Sequence, residues 1–524
     1  MAIPLLKSIG LSGERRSPWF WAVLLALALG VALRWLNLDG KVFWHDEVYT
    51  ALRVVGYQGL AIERQLFTGE PFTAATLLQY QSFAPGSTLG DTWRSLTANP
   101  EHPPLFYLLA WGWVQLWGTS ITAFRSLAVI FSLLTLPVAA LFGRELFGHG
   151  HPAVRVAVLL FACSPVMVLY AQEAREYSLW LLLTLVASGA LLRAQRRHTR
   201  SAWGLYAIAL SLLFYTSLLS ALVAIAHGLY VLAVAPRRHG LAFIASGSVA
   251  VALFAPWLIT LLTQTERFYK VTAWTFDDFP RDLLVKLWGL HFAALFVDPN
   301  LPLTHPYTYL VPPLLIVLIG VSLYGCWRQW PPTTALLVLA LVTVPTLALI
   351  GGDLLRGSRL SSETRYFFPA LGAALLAVAG WSGTLLTTRA YRRVTALGLT
   401  VLLTWGLINC GVMVQAPTWW NKKSGIFNHE IAAAIAATPR PLVLTQLAGT
   451  VLGDLISISY RVPPSTPFSA TVAPALPVPP PELEDHNILL FWPSPELLQA
   501  YPEAEPFPGN AYGLWRVPSG GGTA

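Results

Sequence analysis

Long apolar runs recur along this chain, separated by short polar connectors, and this alternation limits the available folds more than any motif does. Backbone polar groups in lipid must be satisfied within their own segment, so runs of about 20 apolar residues read as spanning helices. Such runs fall at roughly 18–36, 124–147, 153–172, 177–194, 201–218, 219–236, 240–263, 309–327, 331–351, 366–388 and 394–416. The uncharged stretch from Ser201 to Pro236 is too long for one span and divides near Tyr215-Thr216-Ser217. This gives eleven expected spans and an all-α polytopic membrane protein. The balance of residues agrees: 55% are hydrophobic and 11% charged, where soluble domains carry about 25% charged residues.

The net charge of +8 does not point to nucleic acid, because the basic residues sit in short clusters between the apolar runs. The segment from Pro103 to Gly118 decides the topology. It reaches only about 24 Å as a helix, short for a bilayer. Laid in the outer interface, where Trp111, Trp113 and Trp117 suit the headgroup level, it brings the later basic clusters to one face. Arg144, Arg155, Arg193-Arg196-Arg197-Arg200, Arg237-Arg238, Arg328 and Arg389-Arg392-Arg393 then lie beside the basic N-terminus on the cytoplasmic side. The expectation is a multi-pass plasma (inner) membrane protein with its N-terminus inside and its C-terminus outside. Lys7, Arg15 and Arg16 before the first run mark an uncleaved signal anchor. Cys163, Cys326 and Cys410 all lie in apolar runs and imply no disulfide framework.

The acidic and mixed-charge sequence collects in the connectors of the other face. These are a long first loop, 37–122, the turn 172–177, the loop 263–308, and a turn containing Asp353, Arg356, Arg359, Glu363 and Arg365. From about Pro417 the composition changes. Strands at 441–445, 487–492 and 513–517 alternate with helices at 449–458 and 495–501, while the Pro-rich stretch 462–481 reads as an extended loop. The chain therefore divides into a membrane domain, 1–416, and a small extracytoplasmic α/β domain, 417–524. The tail from Ser519 reads as disordered.

Chemistry-bearing residues cluster at the outer rim. Asp46 and Glu47 follow Trp44 just where the chain leaves its first span. A carboxylate at that depth is costly to desolvate and can serve as a general base; the bland alternative is two solvated loop carboxylates. Glu101 and His102 precede Pro103-Pro104, which open the interfacial helix. They are candidates for a divalent metal ion or for hydrogen bonds to phosphate; two ligands do not make a metal site, and no cofactor is assigned. Arg125, Arg175 with Glu173 and Tyr177, and Arg365 with Tyr366 lie at the outer ends of different spans. Each arginine alone suits an interfacial anchor, and together they suit a phosphate, which the guanidinium fork binds well.

In this order the pieces resemble a known family. Trp44-His45-Asp46-Glu47, His102-Pro103-Pro104-Leu105, Arg125, Gln172-Glu173-Ala174-Arg175-Glu176-Tyr177-Ser178-Leu179 and Arg365-Tyr366-Phe367-Phe368-Pro369 look like the GT-C membrane glycosyltransferases of the protein O-mannosyltransferase and aminoarabinose (lipid A) transferase type. The resemblance covers about residues 15–416. It implies a polyprenyl-phosphate-linked sugar as donor and Asp46, beside Glu47, as catalytic base. It also implies arginines such as Arg125 and Arg175 at the donor phosphate, and Glu101 and His102 where some relatives bind a metal or contact the donor. Many relatives carry a histidine near the break between the fifth and sixth spans, where this chain has Tyr215-Thr216-Ser217.

The expected function is transfer of the sugar to a protein, lipid or polysaccharide acceptor at the outer membrane face. A flippase for a polar lipid, without chemistry, is the alternative; charges gathered at the rim rather than at mid-membrane argue against it. A catalytically dead scaffold is a third reading, opposed by the intact acidic pair.

Overall fold

The computed structural model describes residues 18–509 and 511–518. The basic residues ahead of Pro18 and the tail from Ser519 lie outside the described residues, and with them the signal-anchor charges and the disordered tail expected above. The chain forms two compact units. One contains the segments up to Leu38, Asn99–Phe106 and Arg125–Val414; the other contains Asp39–Ala98, Tyr107–Phe124 and the chain from Gln415 onward.

The first unit is helical. Among the described residues, seven helices are long and apolar enough to cross a bilayer: Ile121–Phe147, Tyr177–Arg197, Arg237–Thr263, Tyr307–Gln329, Pro332–Arg356, Thr364–Thr387 and Arg392–Gln415. An eighth candidate is a bent pair, Pro152–Cys163 and Pro165–Ala171, with 55° between its halves. Three of the eleven expected spans are shorter helices, at Pro18–Trp35, Arg200–Phe214 and Ser220–Val234. Fifteen residues reach only about 22 Å at 1.5 Å each. The unit is built around the Phe368–Thr387 helix, buried without interruption from Phe368 to Gly380. Outer helices turn Leu232, Leu262 and Leu314 outward, as lipid-facing surfaces do.

The bend in the eighth candidate has a local cause. Proline in the run Ser164-Pro165 has no N–H and disfavours helical backbone in the residue before it. Ser164 is accordingly extended, at φ −72° and ψ 124°. The break leaves carbonyls of the preceding turn without helical partners. Arg34, buried in the first helix, donates to two of them, Ala162 O at 2.8 Å and Phe161 O at 2.8 Å, and also to Gly30 O and Ser132 Oγ. Gly30 permits that approach, since a Cβ there would come within 2.5 Å of the Ala162 carbonyl oxygen.

The second unit carries a six-stranded sheet of β1 (Thr68–Thr73), β2 (Pro441–Gln446), β3 (Pro467–Thr471), β4 (Asn487–Phe491), β5 (Glu505–Pro506) and β6 (Leu514–Arg516), in the order β1-β3-β2-β4-β6-β5. β3, β2 and β4 run parallel and the outer pairings are antiparallel. Leu442, Leu444, Leu490 and Leu497 form its core. The expected strands near 441, 487 and 513 are present. β3 corrects the reading of 462–481 as an extended loop throughout. β1 comes from the first long connector, so the sheet is not confined to the segment after residue 416.

Candidate active site

The acidic pair belongs to the second unit. Trp44 is extended and caps the helix His45–Val55, its carbonyl accepting from the N–H groups of Glu47 at 2.9 Å and Val48 at 3.0 Å. Both carboxylates therefore stand in a first helical turn, where the macrodipole favours negative charge. Their settings differ. Asp46 is half-buried, whereas Glu47 is fully buried and lies 3.7 Å from the ammonium of Lys422, itself buried. The Lys422 ammonium also stands 5.1 Å over the Trp44 ring.

The segment bearing Lys422 is tied to the same place. Val42 N–H donates to Pro417 O at 2.8 Å, and Gly425 N–H to Lys422 O at 2.8 Å. A Cβ on Gly425 would come within 2.9 Å of the Trp44 Cβ. The helix Val451–Ser459 packs against His45–Val55 so closely that a Cβ on Gly453 would overlap the His45 ring. That helix carries a third carboxyl, Asp454, which accepts from Asn428 Nδ2 at 3.0 Å and Thr450 Oγ1 at 2.6 Å. Burial outweighs both hydrogen bonds and pushes its pKa up to about 7.

The arginines belong to the first unit, and the turns that carry them are locked to common neighbours. Arg125, 1% exposed, donates to Leu38 O at 2.5 Å. Gln172, at the start of the Arg175 turn, donates to Leu36 O at 2.8 Å. Both segments thus dock on the same three residues after the first helix. Tyr177 and Phe368, each just after an arginine, share the ring of Tyr170, at 5.3 and 5.0 Å. This sets the Arg175 turn beside the Arg365 turn.

Sequence placed residues 172–177 in an outer turn; the structure buries all six. Arg175 pairs with Glu176 at 3.4 Å and stands over the Tyr177 ring, while the Glu173 carbonyl accepts the Arg175 N–H at 2.7 Å. Arg365 pairs with Glu363 at 3.3 Å and stands 5.5 Å over the Tyr366 ring. The loop before Arg365 is wound on two buried side chains. Asp353 accepts from the N–H groups of Leu360 and Ser361 at 3.0 and 2.6 Å and from the Ser358 hydroxyl. His291 joins Thr364 Oγ1 at 2.7 Å and Ser361 O at 3.2 Å.

Glu101 and His102 meet at 3.5 Å in the same unit. Among the described residues no group of three His, Cys, Asp or Glu side chains could hold a metal ion. Two ligands fall short of the three protein ligands a catalytic zinc usually has, so no step is derived through a metal. Arg34 and Lys422 are the contributors that sequence reading passed over. A lone arginine within an apolar run was a visible signal for the first; nothing local marks the second.

Residues 101–260 match the family model described as dolichyl-phosphate-mannose-protein mannosyltransferase. Among solved structures, ArnT from Cupriavidus metallidurans bound to undecaprenyl phosphate is similar at TM-score 0.55 and 12% identity, over 95% of this chain and 98% of that one. The Archaeoglobus fulgidus oligosaccharyltransferase tethered with an acceptor peptide is similar at TM-score 0.50 and 14% identity, over 86% of this chain and 64% of that one. Among curated proteins none matches. The chain is a multi-pass membrane protein with a fold of the GT-C type, which it shares with ArnT.

Proposed function

We propose that the chain transfers a sugar from a polyprenyl-phosphate-linked donor to an acceptor nucleophile at the outer face of the membrane. Asp46 takes the acceptor's proton as its oxygen or nitrogen attacks the anomeric carbon. The bond between that carbon and the phosphate oxygen breaks, and the electron pair leaves with the polyprenyl phosphate. Arg125, Arg175 and Arg365 neutralise the phosphate as charge develops on it. Tyr177 and Tyr366 hold the arginine planes, Glu173 shapes the turn, and Glu101 with His102 hydrogen-bonds the donor. Glu47 fixes the orientation of Asp46 rather than moving protons.

The observation that carries this reading is the gathering of three arginine-bearing segments on Leu36–Leu38 and Tyr170, in a chain whose fold neighbour is bound to undecaprenyl phosphate. A donor that cannot leave the bilayer requires its phosphate site at the rim, where these segments end. The test uses the purified full chain with a polyprenyl-phosphate sugar and an acceptor mixture from cell-envelope membranes. Release of free polyprenyl phosphate is expected. Asp46→Asn should remain folded and lose at least 100-fold in rate, the lower range for removing a positioned general base. Wild-type turnover by that variant would count against the assignment.

A further inference from the structure

The bend at Ser164 frees two backbone carbonyls, and a single side chain meets both. In an unbroken helix residue 165 would donate to Phe161 O and residue 166 to Ala162 O. Pro165 has no N–H to give, and the Val166 N–H is turned to Ala294 O at 3.0 Å. Arg34 supplies the missing donors, from Nη2 to Phe161 O and from Nη1 to Ala162 O, at 2.8 Å each.

The first helix is closed in the reverse direction. The last carbonyls of a helix lack donors of their own. Gln172 follows the short helix Pro165–Ala171, and its side-chain amide donates to Leu33 O at 2.9 Å and to Leu36 O at 2.8 Å. Each chain segment thus caps the other. Arg34 acts just before the short helix and Gln172 just after it, so both of its ends are tied to the first helix and the 55° bend is held.

What the short helix carries gives this angle a consequence. Tyr170 lies within it. Its ring packs on both Tyr177 and Phe368, and its carbonyl accepts from Ser178 Oγ at 3.1 Å. Arg175 follows Gln172 by three residues. The bend is also held against a simpler alternative. Among the described residues Arg34 is buried and hydrogen-bonds only to neutral oxygens. A buried guanidinium carries a desolvation cost that a straight helix with alanine at 165 would not require.

We propose that Arg34 and Gln172 are positioning residues for the donor phosphate: their reciprocal caps hold the bend that places Arg175 and, through Tyr170, the Arg365 turn. This rests on the reading of Arg175 as a phosphate-binding residue.

The test titrates the purified full chain in detergent with undecaprenyl phosphate, read by tryptophan fluorescence, and records the melting temperature of each variant. Arg34→Met should melt low, because it leaves the Phe161 and Ala162 carbonyls buried without donors. Adding Pro165→Ala returns an N–H at 165 and lets the helix run straight. The pair Arg34→Met with Pro165→Ala should therefore recover most of the melting temperature. Its binding of undecaprenyl phosphate should nonetheless stay weaker than wild type by about tenfold or more, because the Arg175 turn has moved. Gln172→Ala, which leaves every buried charge in place, should weaken binding in the same direction. Ser188→Ala is the control. It loses a buried hydrogen bond to His227 roughly 16 Å along the helix that follows Arg175, and should lower stability while binding is unchanged. Arg175→Ala separates the two levels. Wild-type binding by that variant overturns the phosphate reading itself. Loss of binding there, with wild-type binding by the folded Arg34/Pro165 pair, or by Gln172→Ala where the pair does not fold, overturns the positioning role alone. Binding that falls only in step with melting temperature, Ser188→Ala included, overturns it as well.

Discussion

The Lys422 ammonium lies 3.7 Å from the Glu47 carboxylate, and both side chains are fully buried. The two residues are 375 positions apart, yet the pair joins the segment after the last span to the helical turn that carries Asp46. Removing one partner of such a pair leaves a buried charge uncompensated, at a cost of about 3–5 kcal/mol. Lys422→Met and Glu47→Gln should each lower the detergent melting temperature strongly. The double variant, which buries no charge, should recover most of the loss. An additive double variant would show that the two side chains do not act as a pair.

Asp454 gives a stability profile with a definite sign. Its folded pKa of about 7 lies above the ordinary 3.8, because burial disfavours the anion. The folded state therefore binds its proton more tightly than the unfolded chain does. The resulting stabilisation is complete below about pH 4 and is lost as pH rises to about 7, beyond which the curve is flat. The span between the two limits is about 4 kcal/mol at most. Asp454→Asn cannot ionise, so its stability should lack this slope. Denaturation midpoints from pH 4 to 8 check this; a variant with the wild-type slope refutes the role given to Asp454.

How much of this was legible in sequence depended on the range of the interaction. Apolar runs and basic clusters are local, and they gave the helical membrane architecture directly. The bend at Ser164 was also written locally, in Ser164-Pro165, but an apolar run on both sides masked it. Lys422 was out of reach, because its partner belongs to the first connector. β1 was hidden for a related reason: Thr68–Thr73 reads TGEPFT, with Gly, Glu and Pro poor in strand propensity, and it forms a strand only because β3 offers an edge. Ordered motifs singled out the arginine turns. Their burial was not readable, because it rests on distant partners: Leu36 for the turn that carries Arg175, and Tyr170 for Phe368 after Arg365.

Arg365 is held ready by Glu363, by the Tyr366 ring and by the loop wound on Asp353 and His291. A lysine keeps the charge but loses the planar fork that meets two phosphate oxygens at once. Arg365→Lys should therefore lower kcat/KM for the lipid-linked donor by about 10- to 100-fold, each lost charge-assisted hydrogen bond being worth roughly 1.5–3 kcal/mol. Asp353→Asn should act at one remove. It loses an acceptor for the Leu360 and Ser361 N–H groups, which should raise hydrogen exchange across 358–364 and lower kcat with a smaller change in KM. Unchanged exchange there would remove Asp353 from the positioning of Arg365.

Close backbone approach at Gly453 gives a test of the acidic turn that alters no charge. A methyl group there meets the His45 ring, next to Asp46, whereas a methyl at Gly112 meets nothing within 4 Å. Both glycines lie in helices, where alanine is intrinsically favoured by about 1 kcal/mol. Gly112→Ala should therefore leave stability level or slightly raised. Gly453→Ala should destabilise by about 1–3 kcal/mol through overpacking, and should tilt the first turn of His45–Val55. A displacement of even 1 Å at a positioned base can cost on the order of 100-fold in rate. Gly453→Ala should thus lose turnover at temperatures where it is still fully folded. Loss of activity only in step with unfolding would mean that the packing supports the fold but does not aim Asp46.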